Sequence, residues 1–100
     1  MAVGQVRELQ RILAGLVSPV RRQILWLVWD EFLPAGAIAS AFPLSAPTIS
    51  EHLAVLLDIG LVTVEIDGSF RRYRADQATV VALQSLLVDE QQQARDARPA

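Results

Sequence analysis

Proline, serine and glycine residues near the middle of the chain fix where two consecutive helices end and begin. Pro43 ends a short run of good helix formers, AIASAF (residues 37–42), because proline cannot continue the helical hydrogen-bond ladder. Ser45 can cap the next helix, and Pro47 is tolerated in its first turn. Gly60 then supplies the left-handed conformation that ends this helix. Two helices joined by so short a turn predict a helix-turn-helix over residues 37–58.

The chain before this unit carries the pattern of two more helices. Apolar residues recur at three- and four-residue steps through residues 1–16, with polar residues between them, which predicts an amphipathic helix. Ser18 and Pro19 then form the cap and the first position of a second helix. Its segment ILWLVW, residues 24–29, is apolar on almost all sides and should lie in the centre of the core.

The chain after this unit predicts a hairpin and a final helix. The segment LVTVEI alternates apolar and polar residues, and an Asp-Gly turn leads into the arginine-rich SFRRYRA. This pattern predicts a two-stranded wing over residues 61–75. Asp76 can cap a last helix over residues 76–92. Residues 93–100 are mostly polar and are predicted to form a flexible tail.

The predicted fold is mainly α with a small β-hairpin: a dimeric winged helix-turn-helix of five helices and a two-stranded wing, with residues 1–92 as a single domain. The first and last helices have apolar faces that the other three helices cannot wholly cover. The hydrophobic fraction of 52% is also high for so short a chain. We therefore expect a two-fold homodimer that presents two reading helices to successive turns of a duplex. The side chains expected at its interface are Val6, Leu9, Leu13, Val80, Leu83 and Leu87.

The composition excludes several classes of function. The chain contains no cysteine and one histidine, which removes disulfides, thiolate chemistry and the usual zinc sites within one chain. Without a paired nucleophile and base or a glycine-rich phosphate loop, the sequence predicts neither an enzyme nor a cofactor. No apolar run approaches the roughly 18 to 20 residues that span a bilayer, and no export signal is visible. We therefore expect a cytoplasmic protein without a membrane partner.

The charge balance limits any nucleic-acid hypothesis. The net charge is −2 and the pI about 5.2, whereas general polyanion binders usually have a pI above roughly 9. All nine basic residues are arginines, and they fall in clusters, yet residues 18–75 hold five arginines and six acidic residues. DNA binding must therefore depend on local separation of charge and on good contacts at a particular sequence.

Three segments together resemble the ArsR/SmtB family of winged-helix repressors. They are SPVRRQIL (residues 18–25), LSAPTISEHLAVLLDIGLV (residues 44–62) and the wing DGSFRRYR (residues 67–74). Pro47, Phe70 and the missing metal ligands look more like the metal-independent SdpR-type autorepressor branch than the metal sensors. The resemblance implies a prokaryotic homodimer that represses transcription at a double-stranded operator with inverted-repeat symmetry. Relief by a small-molecule effector, by a protein effector or by simple autoregulation is left open.

The resemblance also implies site residues. Arg22 matches the family arginine near the start of the second helix, and His52 matches the histidine common in the recognition helix. Metal-sensing members carry a C-x-C motif at positions that match Pro34 and Gly36, so metal sensing should be absent. The full set of predicted DNA-binding residues is Arg22, Ala46, Pro47, Thr48, Ser50, Glu51, His52, Arg71, Arg72 and Arg74.

The wing arginines have two interpretations. They can grip phosphate or the minor groove, or their charge can simply protect an edge strand from aggregation. Strand alternation puts Arg72 and Arg74 opposite Arg71, so not all three can face one duplex.

The candidates on the helices also have two interpretations each. Arg21 and Arg22 can reach a phosphate, or they can pair with Asp30, Glu31 or a partner chain. His52 can contact DNA or be a hydrogen-bonded structural residue.

Three further side chains leave the function open. Glu51 either accepts a hydrogen bond from a cytosine amino group or marks a winged-helix module that binds a protein and has lost DNA binding. Trp26 and Trp29 share one helical face, which suits the core and an interface, although such a pocket could bind a small apolar molecule.

Overall fold

Side-chain caps fix the start of three helices. In the computed structural model, which describes residues 3–98, Ser18 Oγ, Ser45 Oγ and Asp76 Oδ1 each accept the backbone N–H three residues later, at 3.4, 3.3 and 3.1 Å. Each cap satisfies one of the helical amides that have no carbonyl partner. The sequence predicts all three caps, and the structure confirms them.

The chain folds into five helices and a small antiparallel sheet. In chain order the elements are α1 (Val3–Gly15), α2 (Pro19–Leu27), β1 (Leu33–Pro34), α3 (Ala35–Ser40), α4 (Ala46–Asp58), β2 (Val62–Asp67), β3 (Phe70–Ala75) and α5 (Gln77–Asp96). This is the order of a winged helix-turn-helix, with α3 and α4 as its two helices and β2 and β3 as its wing. Residues 1, 2, 99 and 100, at the ends of the predicted domain and tail, lie outside the described residues. Within residues 3–98, no helix is long and apolar enough to cross a membrane.

The sheet has three strands, one more than the predicted two-stranded wing supplies. Its order is β1-β3-β2, with Leu33 opposite Tyr73 and Pro34 opposite Arg72. A strand of two residues is too short to show alternation in the sequence, and Pro34 is tolerated in it because β1 lies at the sheet edge. The extra strand ties the start of the helix-turn-helix to the wing.

The turn of the wing hairpin consists of two residues, Gly68 and Ser69. Asp67 pairs with Phe70 across the hairpin, and Gly68 between them has a φ of +61°. A two-residue turn with positive φ at its first central position suits the twist of the strands it joins, and glycine adopts that conformation without a steric cost.

Helix α3 begins and ends two residues earlier than predicted. It spans Ala35–Ser40 rather than residues 37–42, because Pro34 stands at the N-cap with a preset φ of −67° and Gly36 is accommodated in the first turn. At the other end, Ser40 Oγ donates to the carbonyl of Ala37 at 2.8 Å. Such a side-chain hydrogen bond competes with helical propagation. Helix α3 therefore ends at Ser40, three residues before Pro43.

The end of α4 agrees with the prediction. Gly60 has a φ of +78°, and its N–H donates to the carbonyl of Leu57 at 3.1 Å. The N–H of Leu61 donates to the carbonyl of Leu56 at 3.0 Å. This pair of hydrogen bonds is the Schellman motif, which satisfies the last carbonyls of a helix and turns the chain sharply into the next element, here β2.

The core lies where α2, α3 and α4 meet the sheet. Its fully buried large side chains are Ile24, Val28, Ile38, Ile49, Leu53, Leu56, Leu61 and Val62. The prediction for residues 24–29 holds in part: Ile24, Leu25 and Val28 are buried, but Trp26 is 61% exposed. Helix α2 has a solvent face after all, because helical geometry turns every third or fourth residue outward.

Helices α1 and α5 extend the molecule beyond this core. Helix α5 continues to Asp96, so residues 93–96 of the predicted tail are helical; glutamine, alanine and arginine there are good helix formers. The radius of gyration is 16.1 Å and the longest dimension is 58 Å. A compact chain of this length has a radius of gyration of about 13 Å. The chain is therefore elongated.

Candidate nucleic-acid interface

One face of α4 is free of core contacts. Pro47, Ser50, Glu51 and Ala54 follow one another at steps of three, one and three residues, and all four are exposed. Ala46, in the first turn, is exposed as well. The opposite side of α4 supplies Ile49, Leu53 and Leu56 to the core. The face is mostly small and neutral, with Glu51 as its charged side chain, and a face of that shape can approach the floor of a major groove.

Thr48 lies beside this face but serves the helix cap. Its hydroxyl is 2.8 Å from Ser45 Oγ, and its N–H donates to the same oxygen at 3.3 Å. The side chain is half-buried. Thr48 therefore stabilises the start of α4, and its hydroxyl already has a partner inside the chain.

His52 lies on the side of α4 that faces α2. Its Nδ1 accepts a hydrogen bond from Arg21 Nε at 3.1 Å, and the ring is half-buried. Of the two interpretations of His52, the geometry favours the hydrogen-bonded structural residue. The sequence pattern matched the histidine without indicating which helix it faces.

Arg22 lies against the end of α1. Its Nη1 donates to the carbonyl of Val17 at 3.0 Å and also to the carbonyl of Leu16. These carbonyls follow the last turn of α1, where a cation is favourable. In the described part of the chain, neither Arg21 nor Arg22 forms an ion pair with Asp30 or Glu31. The proposed pairing with these acids is therefore replaced by contacts with carbonyls and His52.

The register of the wing separates its three arginines. Arg72 is opposite Glu65 and Arg74 is opposite Thr63, so these two share one face of the hairpin. Arg71 lies on the other face, the one that carries the buried Tyr73. Arg71 is exposed, and within residues 3–98 it has no ion pair. Its guanidinium is therefore available to an outside phosphate.

Arg72 is held inside the wing. Its Nη2 lies 2.9 Å from Asp67 Oδ2 and 3.3 Å from Glu65 Oε1. Its Nε is buried and has no hydrogen-bond partner among the described residues. Two carboxylates neutralise the guanidinium, so this prediction of a DNA contact loses support.

Arg74 lies near the base of the wing. Its guanidinium carbon is 6.0 Å from the centre of the Phe32 ring, at the outer limit of a cation–π contact. It lines a surface depression together with Thr63 and Gln77, away from α4. Arg74 therefore does not join Arg71 beside the exposed face of α4.

A groove of about 420 Å³ separates the exposed face of α4 from the wing. Ser50 and Ala54 line one wall, and Ser69, Phe70 and Arg71 line the other. Phe70 is 67% exposed at the tip of the wing. Three of these residues, Ala54, Ser69 and Phe70, are not among the predicted DNA-binding residues. For Ala54 a signal existed, since it lies seven residues after Pro47 on the same face.

The predicted dimer side chains divide into two groups. Leu9 and Leu83 are only 7% and 9% exposed within a single chain. They belong to the core where α1 meets α5, so they are not free to face a partner. Val6, Leu13 and Leu87 are exposed and Val80 is half-buried. The prediction did not include further exposed apolar side chains at Val17, Val81 and Val88.

The two tryptophans lie side by side on α2 and just after it. Their ring centres are 5.1 Å apart with the planes tilted by 52°, which is a favourable aromatic arrangement. Trp29 is half-buried against the core, and its carbonyl accepts a hydrogen bond from Gln77 at 2.8 Å. Trp26 faces solvent. The pair lines none of the described cavities.

The positions that match the metal-binding motif carry no ligand atoms on their side chains. Pro34 belongs to β1, and Gly36 lies in the first turn of α3. Across residues 3–98, no group of three or more His, Cys, Asp or Glu side chains could hold a metal ion.

Known proteins share this arrangement. A family model described as a helix-turn-helix domain matches residues 16–65. The chain is 32% identical over 65 residues to the transcriptional repressor SdpR of Bacillus subtilis (strain 168). The aligned segment covers 65% of this chain and 72% of that protein. An ArsR-like transcriptional regulator from Rhodococcus sp. RHA1 superposes with a TM-score of 0.81 at 30% identity, covering 95% of this chain and 92% of that one.

A second similar solved structure is a homodimer. It is the homodimeric winged helix-turn-helix DNA-binding domain of a possible ArsR-family regulator from Mycobacterium bovis. It superposes with a TM-score of 0.71 at 30% identity, covering 87% of this chain and 83% of that one. Together with the order of the elements, these similarities identify the chain as a member of the ArsR family of winged helix-turn-helix transcriptional regulators.

Proposed function

We propose that the chain is a transcriptional repressor that binds an inverted-repeat operator as a homodimer and needs no metal cofactor. The observation that carries this proposal is the groove between α4 and the wing. It sets a core-free helix face beside Arg71, an exposed arginine without an ion pair in the described structure. In this arrangement the exposed face of α4 contacts base edges, while Arg71 binds the phosphate beside them.

The reading face consists of small side chains and one acid. In the major groove, Ser50 donates or accepts at base edges, and Glu51 accepts from a cytosine amino group. Ala46, Pro47 and Ala54 contribute apolar contact, for example with thymine methyl groups. None of these side chains carries a positive charge, so affinity must come from the operator contacts, from Arg71 and from the doubling of both in a dimer.

The dimer is supported by the exposed apolar side chains of α1 and α5. Val6 and Leu13 on α1 and Leu87 on α5 are exposed in the single chain, and the molecule is elongated along these helices. The Mycobacterium bovis relative, at 30% identity, is a homodimer of the same fold. In a two-fold dimer, the two α4 helices enter successive major grooves about 34 Å apart, which predicts half-sites one helical turn apart.

Metal independence is supported by side-chain chemistry. Pro34 and Gly36 have no thiolate, imidazole or carboxylate at the positions where metal-sensing members carry cysteines. Derepression must therefore use another signal or none.

The test is duplex selection followed by a salt series. The purified chain is offered a random-sequence duplex library, and anisotropy then measures its affinity for the enriched duplex from low to high salt. We expect an inverted repeat to be enriched and a linear fall of log K with log salt. Failure of a folded dimer to enrich any duplex at low salt would overturn the proposal.

A charge-matched pair of variants tests the role of the wing. Arg71→Gln should make the slope of log K against log salt shallower by about 0.9 for each protomer, hence about 1.8 for the dimer. The reason is that fewer counterions are released on binding when a phosphate contact is lost. Arg72→Gln makes the same change of charge at the next residue. It should leave the slope unchanged, since that guanidinium is neutralised by Glu65 and Asp67. Equal slopes for the two variants would contradict the assignment of Arg71.

The alternative is a protein partner in place of DNA. Glu51 favours it, because an exposed carboxylate on the reading face repels phosphate. Under this alternative the selection enriches no duplex, although the chain is folded and dimeric.

A further inference from the structure

Arg21 joins three helices at one point. Its Nε donates to Nδ1 of His52 on α4 at 3.1 Å, and its Nη1 donates to the carbonyl of Gly15 at the end of α1 at 3.0 Å. Arg21 itself lies in the first turn of α2 and is half-buried, as is His52. One side chain thus connects the helix that reads DNA in the proposed function with a helix of the proposed dimer.

The guanidinium suits this position because its donors are rigidly arranged. Its planar fork directs Nε–H and Nη1–H to two acceptors at once, whereas the single ammonium of lysine has no fixed direction. The Gly15 carbonyl is among those at a helix end that lack a helical partner, and a cation there is favourable. Both donors are therefore held in place, and the direction of the hydrogen bond to His52 is fixed.

His52 receives this hydrogen bond on one side of α4 only. Because Nδ1 accepts, the neutral ring carries its hydrogen on Nε2. The ring adjoins the buried Leu53 and faces α2, while Ser50 and Glu51 face outward. The packing of Ile49, Leu53 and Leu56 sets which side of α4 faces the core, and the hydrogen bond to His52 adds a directional contact on the side that faces α2.

A second polar contact links α1 to α4. Arg11 Nη2 on α1 lies 2.8 Å from Asp58 Oδ2 at the end of α4. The side chain of Ile59, the residue that follows α4, packs directly against the backbone of Gly15. Helix α1 therefore meets the C-terminal end of α4 closely, and Arg21 contacts α4 near its middle.

We propose that Arg21 and His52 form a positioning pair that sets the rotation of α4, so that Ser50 and Glu51 meet the correct base edges. The proposal rests on the proposed function. Neither member of the pair contacts the duplex, which reassigns a predicted DNA-binding residue, His52, and a candidate phosphate contact, Arg21. A reading face must be held to within about 10–20° to discriminate between bases, so loss of the pair affects specificity before it affects general affinity.

The experiment compares the enriched duplex with a scrambled duplex of equal length, for the full chain and four variants. His52→Asn keeps an acceptor at the place of Nδ1, and His52→Leu removes it. Arg21→Lys keeps the charge without the fork, and Arg21→Gln removes both. The expected result is at least a tenfold loss of the operator-to-scrambled affinity ratio for His52→Leu, Arg21→Lys and Arg21→Gln. His52→Asn should stay within threefold of the unmodified chain.

The salt slope separates positioning from phosphate contact. If Arg21 acts through His52, the slope for Arg21→Gln equals that of the unmodified chain, whereas a phosphate contact lowers it by about 0.9 for each protomer. The double variant Arg21→Gln with His52→Leu should lose no more specificity than either single variant, because both remove the same interaction. Circular dichroism and urea midpoints identify any variant that is not folded.

Two results would overturn the positioning pair while leaving the proposed function intact. One is a lowered salt slope for Arg21→Gln. The other is an equal loss of affinity for operator and scrambled duplex in the folded variants His52→Leu and Arg21→Lys. Absence of duplex binding by the unmodified chain would instead overturn the proposed function, and the pair's role with it.

Discussion

The partners of each arginine decide what that arginine can do. The arginines are clustered in the sequence, but their partners in the structure differ. Arg72 pairs with two carboxylates, and Arg22 donates to backbone carbonyls. Arg21 donates to a backbone carbonyl and to His52. Each of these guanidiniums already has acceptors nearby. Arg71 is the member of the wing cluster left exposed without an ion pair in the described residues. A chain with net charge −2 thus concentrates its phosphate contact in few positions.

Glu51 is the residue whose replacement should separate affinity from specificity. Glu51→Gln removes a negative charge from the reading face, so affinity for a scrambled duplex should rise by about two- to fivefold, the scale of one exposed like-charge contact. Discrimination at the base pair that Glu51 contacts should fall by about tenfold, the lower range for loss of one base contact. Anisotropy on the operator and on its single base-pair variants measures both.

The control for Glu51 is Glu31→Gln. It makes the same change of charge at an exposed residue between α2 and β1, outside α4, the wing and the proposed dimer helices. If both variants raise duplex affinity equally, the effect is one of net charge only. If discrimination is unchanged in Glu51→Gln, the carboxylate reads no base.

At the scale of elements, helix starts were predicted best where a side chain marks them. Ser18, Ser45 and Asp76 cap α2, α4 and α5 as expected, because their hydrogen bonds are local and depend on residues three apart. The start of α3 was misplaced because no side chain caps it; Pro34 stands there instead. Strand β1 was missed because its pairing with β3 is a contact between residues far apart in the chain.

The candidate site was predictable to a similar extent. The match to the family's recognition helix predicted Thr48, Ser50 and Glu51 on its exposed side; in the structure Ser50 and Glu51 are exposed, whereas Thr48 is half-buried at the cap. The match could not show that His52 meets Arg21, since that contact depends on how α2 and α4 cross. Strand alternation separated Arg71 from Arg72, but the acids that neutralise Arg72 were not singled out.

The cap of α4 gives a prediction at the element scale. Ser45→Ala removes the acceptor for the Thr48 amide and the neighbour of its hydroxyl. The free energy of unfolding should fall by about 1 kcal/mol, the typical loss of a serine cap. For a domain of this size, that corresponds to a lowering of Tm by about 4–8 °C. Urea and thermal unfolding at one fixed protein concentration measure the change.

A second serine provides the control for the cap. Ser85 Oγ donates to the carbonyl of Val81 inside α5 and is exposed. Ser85→Ala should not destabilise the chain, because alanine has the better helix propensity in a helix interior. An equal loss of stability in both variants would contradict the role of Ser45 as a cap.

The shape of the whole molecule bears on its assembly. Helix α5 has 20 residues, about 30 Å of helix, yet Leu83 is its one buried residue in the described structure. Exposed apolar side chains continue along it at Val81, Leu87 and Val88. A helix that buries so little of its apolar surface in its own chain gains stability when a second chain covers it. The elongation of the chain and the proposed dimer thus have one physical cause.

The double variant Leu13→Glu with Leu87→Glu tests the dimer. Both side chains are exposed in the single chain, so the fold of each protomer should remain, whereas burial of unpaired carboxylates at an interface costs about 3–5 kcal/mol. The dimer dissociation constant should therefore rise by about a hundredfold or more. Operator affinity should fall with it by about 10²- to 10⁴-fold, because a monomer engages one half-site without the effective concentration of a linked second site.

Sedimentation equilibrium across a range of concentrations measures the association, and anisotropy on the full operator and on an isolated half-site measures the binding. Thr63→Glu, an added carboxylate on the outer face of β2, is the control and should leave the chain dimeric. The half-site should bind the double variant and the unmodified monomer alike, since α4 and the wing are unchanged. A double variant that still sediments as a dimer would place the interface on other surfaces than these two helices. A dissociated variant that keeps full operator affinity would show instead that each protomer binds its half-site independently.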